Sequence, residues 1–113
     1  MTDEEILDNI GNPDLRNRAF QMLVKKYQKK IYYHIRRMVI DHDDADDLVQ
    51  TTFIKVWTGL NTFKGNSALY TWIYRIATNE CLNFLSKKRR RFFLPLVDVE
   101  SELKNKIDHG PYI

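Results

Sequence analysis

The stretch Asp43-Asp44-Ala45-Asp46-Asp47-Leu48-Val49-Gln50-Thr51-Thr52-Phe53-Ile54-Lys55-Val56-Trp57 carries the clearest periodicity in the chain. Ala45, Leu48, Val49, Thr52, Phe53, Val56, Trp57 and Leu60 recur at steps of three and one, which is one face of an α-helix. Asp43 is a good N-cap, and Asp44, Asp46 and Asp47 then fall where the helix dipole favours negative charge. Gly59 marks the end. Ile54 lies off the stripe, in line with Asp47 and Gln50. Together with Asp46 these residues form a second face, part apolar and part acidic, that suits docking better than plain solvation.

Beyond it, Phe63-Lys64-Gly65-Asn66-Ser67-Ala68 has turn chemistry, with small residues that leave backbone groups within reach of a ligand. Ser67 is placed to cap the next helix, expected from about Ala68 to Arg90. Leu69, Trp72, Ile73, Ile76, Ala77, Cys81, Phe84 and Leu85 make its apolar face. Off that face stand Tyr70, Thr71, Tyr74, Arg75, Thr78 and Asn79. Rings stack on bases, amides and hydroxyls reach base edges, and cations meet phosphates. Arg75 is equally able to serve a salt bridge across the bundle. The run Lys87-Lys88-Arg89-Arg90-Arg91 exceeds what a helix C-terminus needs and points to phosphate contact. Phe92 to Leu96, with Pro95, is expected to stop the helix, leaving a tail with one turn near Glu100–Lys106 before Gly110-Pro111.

Toward the N-terminus, Thr2 and Glu5 fit a capping box that opens a short helix to about Ile10. Asn12 and Pro13 fit the cap and first position of a long helix reaching Val39. Phe20, Leu23, Val24, Tyr27, Ile31, Ile35, Met38 and Val39 give that helix its apolar face, and eight Lys and Arg residues from Arg16 to Arg37 give it a basic one.

The expected fold is therefore all-α, a compact bundle of three main helices plus a short N-terminal helix. At 113 residues the chain is one small domain with a tail. Net charge is only +3, but acid is concentrated at Asp41–Asp47 and base at Lys87–Arg91, which suggests two partners of opposite character. The single cysteine, Cys81, fits a reducing compartment. No apolar run approaches the ~18–20 residues that span a bilayer. The acidic N-terminus lacks a signal-peptide pattern, so a cytoplasmic location and no membrane partner are expected. The histidines His34, His42 and His109 are scattered, and His42 among adjacent aspartates lacks helical ligand spacing. There is no nucleophile triad and no phosphate-binding loop, so no enzyme activity, no metal and no cofactor are expected.

Three blocks in order carry a resemblance: Asp46-Asp47-Leu48-Val49-Gln50-Thr51-Thr52-Phe53, the Phe63–Ala68 loop, and Tyr70-Thr71-Trp72-Ile73-Tyr74-Arg75-Ile76-Ala77-Thr78-Asn79. Over roughly Asp14 to Arg91 the chain resembles the second conserved region of the extracytoplasmic-function (ECF) sigma factors of bacterial RNA polymerase, their promoter-melting domain. The resemblance implies that residues 1–91 bind core polymerase and recognise and melt the minus-ten promoter element, initiating transcription. Asp47 and Gln50, and more loosely Asp46 and Ile54, would meet the clamp helices of the largest polymerase subunit. Lys64, Gly65, Asn66, Ser67 and Ala68, walled by Phe63 and Leu69, would capture a flipped base of the non-template strand. Asn79 would sit at the upstream edge of the melted DNA, with Tyr74 and Arg75 close by. An anti-sigma factor is a further possible partner for the Asp47 face.

Two departures from the family pattern stand out. Thr51 and Asn66 occupy positions where an acid is common, and Asn66 adds donors to the pocket. The family also carries a second domain that reads the minus-thirty-five element. Residues 92–113 are expected to be a linker toward such a domain, making the chain a fragment. The alternative function is a helical adaptor or regulator that binds protein and no DNA. A duplex-reading helix-turn-helix is disfavoured by the tyrosines and threonines on the candidate reading face.

Overall fold

The computed structural model describes the backbone of residues 1–107 and the side chains of residues 1–91. The elements are α1 (Asp3–Ile10), α2 (Arg16–Met38), α3 (His42–Gly59), a 3₁₀ turn (Leu60–Thr62) and α4 (Leu69–Ile107). No strand occurs among the described residues. The expected all-α bundle is what the chain forms. It divides into two units, Met1–Cys81 and Leu82–Ile113.

In the first unit α2 is the central member. Its buried residues Ala19, Leu23, Tyr27, Ile31, His34 and Ile35 follow helical spacing, with Leu23, Ile31 and Ile35 fully enclosed. Burying each such aliphatic side chain contributes about 1.5–3 kcal/mol. Packed with α2 are Ile6 and Ile10 from α1, the Ala45–Val56 stripe from α3, and Leu69, Ile73, Ala77 and Cys81 from the start of α4. Burial pushes the Cys81 thiol up to about 11, so this cysteine is a core residue with little thiolate character.

The expected capping box forms at α1: Thr2 accepts from the Glu5 amide and Glu5 answers at the Thr2 amide. Other helix ends differ from the sequence reading. Asn12 caps a turn rather than a helix, accepting from the Asp14 amide at 3.0 Å, and α2 starts only at Arg16. The N-cap of α3 is Asp41, not Asp43: its carboxylate accepts from the amides of Asp43 and Asp44. An Asx cap needs only two free amides ahead of it, and Asp41 meets that condition first. The shift puts His42 inside the helix, one turn before Asp46, so His42, Asp43 and Asp46 do share helical spacing and lie within 4.8 Å of one another. The His42–Asp46 pair, at 3.2 Å, occupies these groups among themselves. Ser67 does not cap α4; its hydroxyl donates to the Ala68 carbonyl, and that carbonyl receives the first helical bond from Trp72. Gly59 does end α3, but at φ −90° rather than in a left-handed cap. A Cβ there would lie 3.1 Å from the Trp72 ring, so close approach is what the position requires.

The largest correction concerns Pro95. The helix does not stop there but runs to Ile107. A proline removes one backbone bond and crowds one carbonyl, a cost to the helix that does not by itself oblige it to end. The expected turn at Glu100–Lys106 is thus part of α4, while Gly110-Pro111 lies outside the described residues.

The N-terminal helix is tied down by Asp3, whose carboxylate accepts from the Tyr27 hydroxyl at 2.6 Å and from Lys26 Nζ at 2.8 Å. Burial opposes the charge on Asp3, but these hydrogen bonds and the Lys26 cation outweigh it and hold the carboxyl below its ordinary value. A group lowered in the folded state stabilises above its unfolded pKa, and that stability is lost as pH falls through the folded value. The protection factors of the Ile6 and Ile10 amides, measured against intrinsic exchange at each pH, are therefore expected to fall as pH drops below about 4. Asp3→Ala should lower those protection factors already at neutral pH and remove the acid-dependent step.

Candidate polymerase and nucleic-acid interfaces

Two surfaces of the first unit gather the residues singled out from the sequence. The first lies on α3. Asp47, Gln50 and Ile54 are exposed, Ile54 at 64%, and Asp46 is half-buried. Asp46 and Gln50 line a groove of about 480 Å³ with Val49 and with Lys25, Gln28, Lys29, Tyr32 and Tyr33 of α2. The groove thus spans both helices. It is lined by Asp46 from α3 and by Lys25 and Lys29 from α2, and Tyr33, 52% exposed, lines it as well. Nothing in the α3 stripe announces the α2 half, because helix-to-helix register is not visible in the periodicity of either.

The second surface runs from the loop along α4. Lys64, Gly65, Asn66 and Ala68 are exposed and Ser67 is half-buried, so the loop is open to solvent. Of the two expected walls, Leu69 is buried, while Phe63 is half-buried against Trp72, ring centroids 5.0 Å apart. Trp72 is thereby held between Phe63 and the Gly59 backbone. Gly65 has φ +74°, the left-handed region that suits glycine, with no atom within 4 Å of where a Cβ would sit.

Beyond the loop, aromatic rings form a ladder across α2 and α4. Tyr27 meets Tyr70 at 5.2 Å, Tyr70 meets Tyr74 at 6.0 Å, and Tyr74 stacks on His34 at 3.7 Å. Lys30 Nζ stands 5.6 Å over the Tyr70 ring. Tyr74 keeps 38% of its surface exposed, and Arg75 and Asn79 are exposed beside it. Arg75 has no carboxylate partner among the residues whose side chains are described. Instead Glu80, on the same helix, pairs with Lys55 and ties α4 to α3. Sequence reasoning missed Lys30 and His34 as members of this face. His34 is seven residues after Tyr27, so helical spacing alone was a usable signal.

Lys87 to Arg91 lie in the second unit, where all five are exposed. Lys88 Nζ sits 5.9 Å over the Phe84 ring.

A polar, aromatic groove between α2 and α3, and an open glycine loop leading to an aromatic ladder, mark two separate surfaces of a helical domain. Residues 23–91 match the Sigma-70 region 2 family, and the chain belongs to that family. It is 44% identical over 89 residues to the RNA polymerase sigma-H factor of Pseudomonas aeruginosa, covering 79% of this chain and 45% of that protein. It is 35% identical over 113 residues to the ECF RNA polymerase sigma-E factor of Haemophilus influenzae, covering 100% and 57%. With the sigma-E factor of Escherichia coli K12 it shares 40% over 91 residues, covering 80% and 46%. The chain thus spans about half the length of these relatives. An NMR structure of an engineered region 2 of sigmaE in complex with GTAAAA superposes at a TM-score of 0.71, with 36% identity, covering 80% of this chain and 93% of that one.

The backbone at Gly65 gives a direct check on the loop. Gly65→Ala is expected to lower stability by about 1–2 kcal/mol through the left-handed backbone alone, and Gly65→Asn by less. Urea unfolding followed by circular dichroism measures both.

Proposed function

We propose that this domain binds core RNA polymerase and opens the minus-ten promoter element by capturing a flipped base, without catalysing a reaction itself. The observation that carries the reading is the likeness to a region 2 whose structure was determined with GTAAAA. It is supported by the open Lys64–Ala68 loop and by the aromatic face that continues from it.

In this reading Asp46, Asp47, Gln50 and Ile54 engage the clamp helices of the largest subunit, and Lys29 and Tyr33 extend the contact onto α2. An anti-sigma factor competing for the same face, in the cytoplasm, fits the same chemistry. Lys64 to Ala68 hold a base of the non-template strand, whose binding offsets an unstacking cost of a few kcal/mol. Tyr70, Tyr74, Arg75 and Asn79 hold the bases upstream of it, and Lys87 to Arg91 meet phosphates. Trapping an open state that thermal motion supplies is enough to shift the duplex toward melting.

Co-purification with core polymerase tests the first face: Gln50→Ala should reduce recovery without changing helicity, and unchanged recovery would remove α3 from the contact. Fluorescence anisotropy tests the second face with a single strand containing GTAAAA and a scrambled strand. Asn66→Ala should weaken the first and leave the second alike. Arg90→Ala should weaken both equally and lower the salt slope by about 0.7.

A further inference from the structure

Thr78 and His34 form a polar pair on the margin of the α4 face that the capture of a flipped base does not use. His34 is buried in α2, 7% exposed, and its ring lies under Tyr74 with an interplanar angle of 25°. Its Nε2 is 2.8 Å from Thr78 Oγ1. The same hydroxyl is 2.9 Å from the Tyr74 carbonyl oxygen.

The protons can be assigned from these contacts. A carbonyl only accepts, so the single hydroxyl proton of Thr78 goes to Tyr74. Nε2 of His34 must then be the donor to Oγ1. Burial, and after it the Arg37 charge, keep His34 below the usual imidazole range, so the ring is neutral and carries one N–H. With its proton committed and one lone pair taken, the half-buried Thr78 hydroxyl has one lone pair left. A helical threonine otherwise divides between two χ1 rotamers, and the His34 hydrogen bond selects one of them.

We infer that Thr78 reads a base as a hydrogen-bond acceptor and that His34 is the positioning residue that fixes its orientation, so that this point of the face favours a base bearing an exocyclic amine. The inference rests on the reading that the Tyr74 face meets unpaired DNA. His34 also backs the Tyr74 ring, so one imidazole sets both a stacking surface and a polar contact.

Oligodeoxycytidine and oligodeoxyuridine of about twelve nucleotides separate these roles, since their bases match in size and differ at the exocyclic amine and the adjacent ring nitrogen. The full chain should bind the cytidine strand about three- to ten-fold more tightly, the range of one net hydrogen bond. Thr78→Val should abolish that ratio and Thr78→Ser should keep it. His34→Phe, which retains a ring under Tyr74, should lower the ratio, and the His34→Phe/Thr78→Val pair should lose no more than Thr78→Val alone. A ratio unchanged in Thr78→Val, or equal weakening on both strands in every variant, would overturn the inference while leaving single-strand binding intact. Absence of binding to both strands and to a GTAAAA strand by the unaltered chain would overturn the single-strand reading itself, and this inference with it.

Discussion

One constraint governs the first unit: α2 must satisfy three neighbours with a single apolar stripe. Leu23, Ile31 and Ile35 are fully enclosed, while lysines and arginines line the remaining circumference. A helix this basic has no reason to be stable alone. Its stability comes from the faces of α1, α3 and α4 laid against the stripe. The side chains at the edges of the stripe then become the polar joints of the domain. Tyr27 reaches Asp3 on one side and the Tyr70 ring on the other, and His34 reaches Tyr74 and Thr78. Packing and the candidate DNA face are therefore built from the same residues.

This double use explains the separation of the two surfaces. On α3, the stripe Ala45–Val56 is inward, so Asp47, Gln50 and Ile54 are outward by helical geometry. On α4, Ile73, Ala77 and Cys81 are inward, and Tyr74 and Arg75 are displaced around the axis by one and two residues. Lys55 and Glu80 pair between these two helices. An ion pair half exposed to water contributes little energy, but it fixes register between the two faces.

Periodicity made the fold legible. The steps between Ala45 and Leu60 located α3, and Thr2 with Glu5 located α1, since both signals are local and physically overdetermined. Helix ends were less legible because several residues compete for each role. Asp41 and Asp43 are both competent caps, and only the chain path decides between them. Pro95 was read as a stop because a proline raises the local cost of helix, yet α4 continues through it.

The site was legible to a different depth. Single residues such as Asn66, Asn79, Gln50 and Asp47 could be singled out, since residue type and motif spacing name them. Couplings between helices could not be. That Lys29 and Tyr33 complete the groove of Asp46 and Gln50 depends on how α2 and α3 turn about their axes. His34 shows the same limit more sharply. Its helical spacing from Tyr27 places it on this face, but its role exists only because Thr78, on another helix, presents an oxygen at hydrogen-bond distance. A buried neutral imidazole with one N–H has one productive partner here. The pairing that fixes the ring's orientation is therefore a property of two helices together, legible in neither alone.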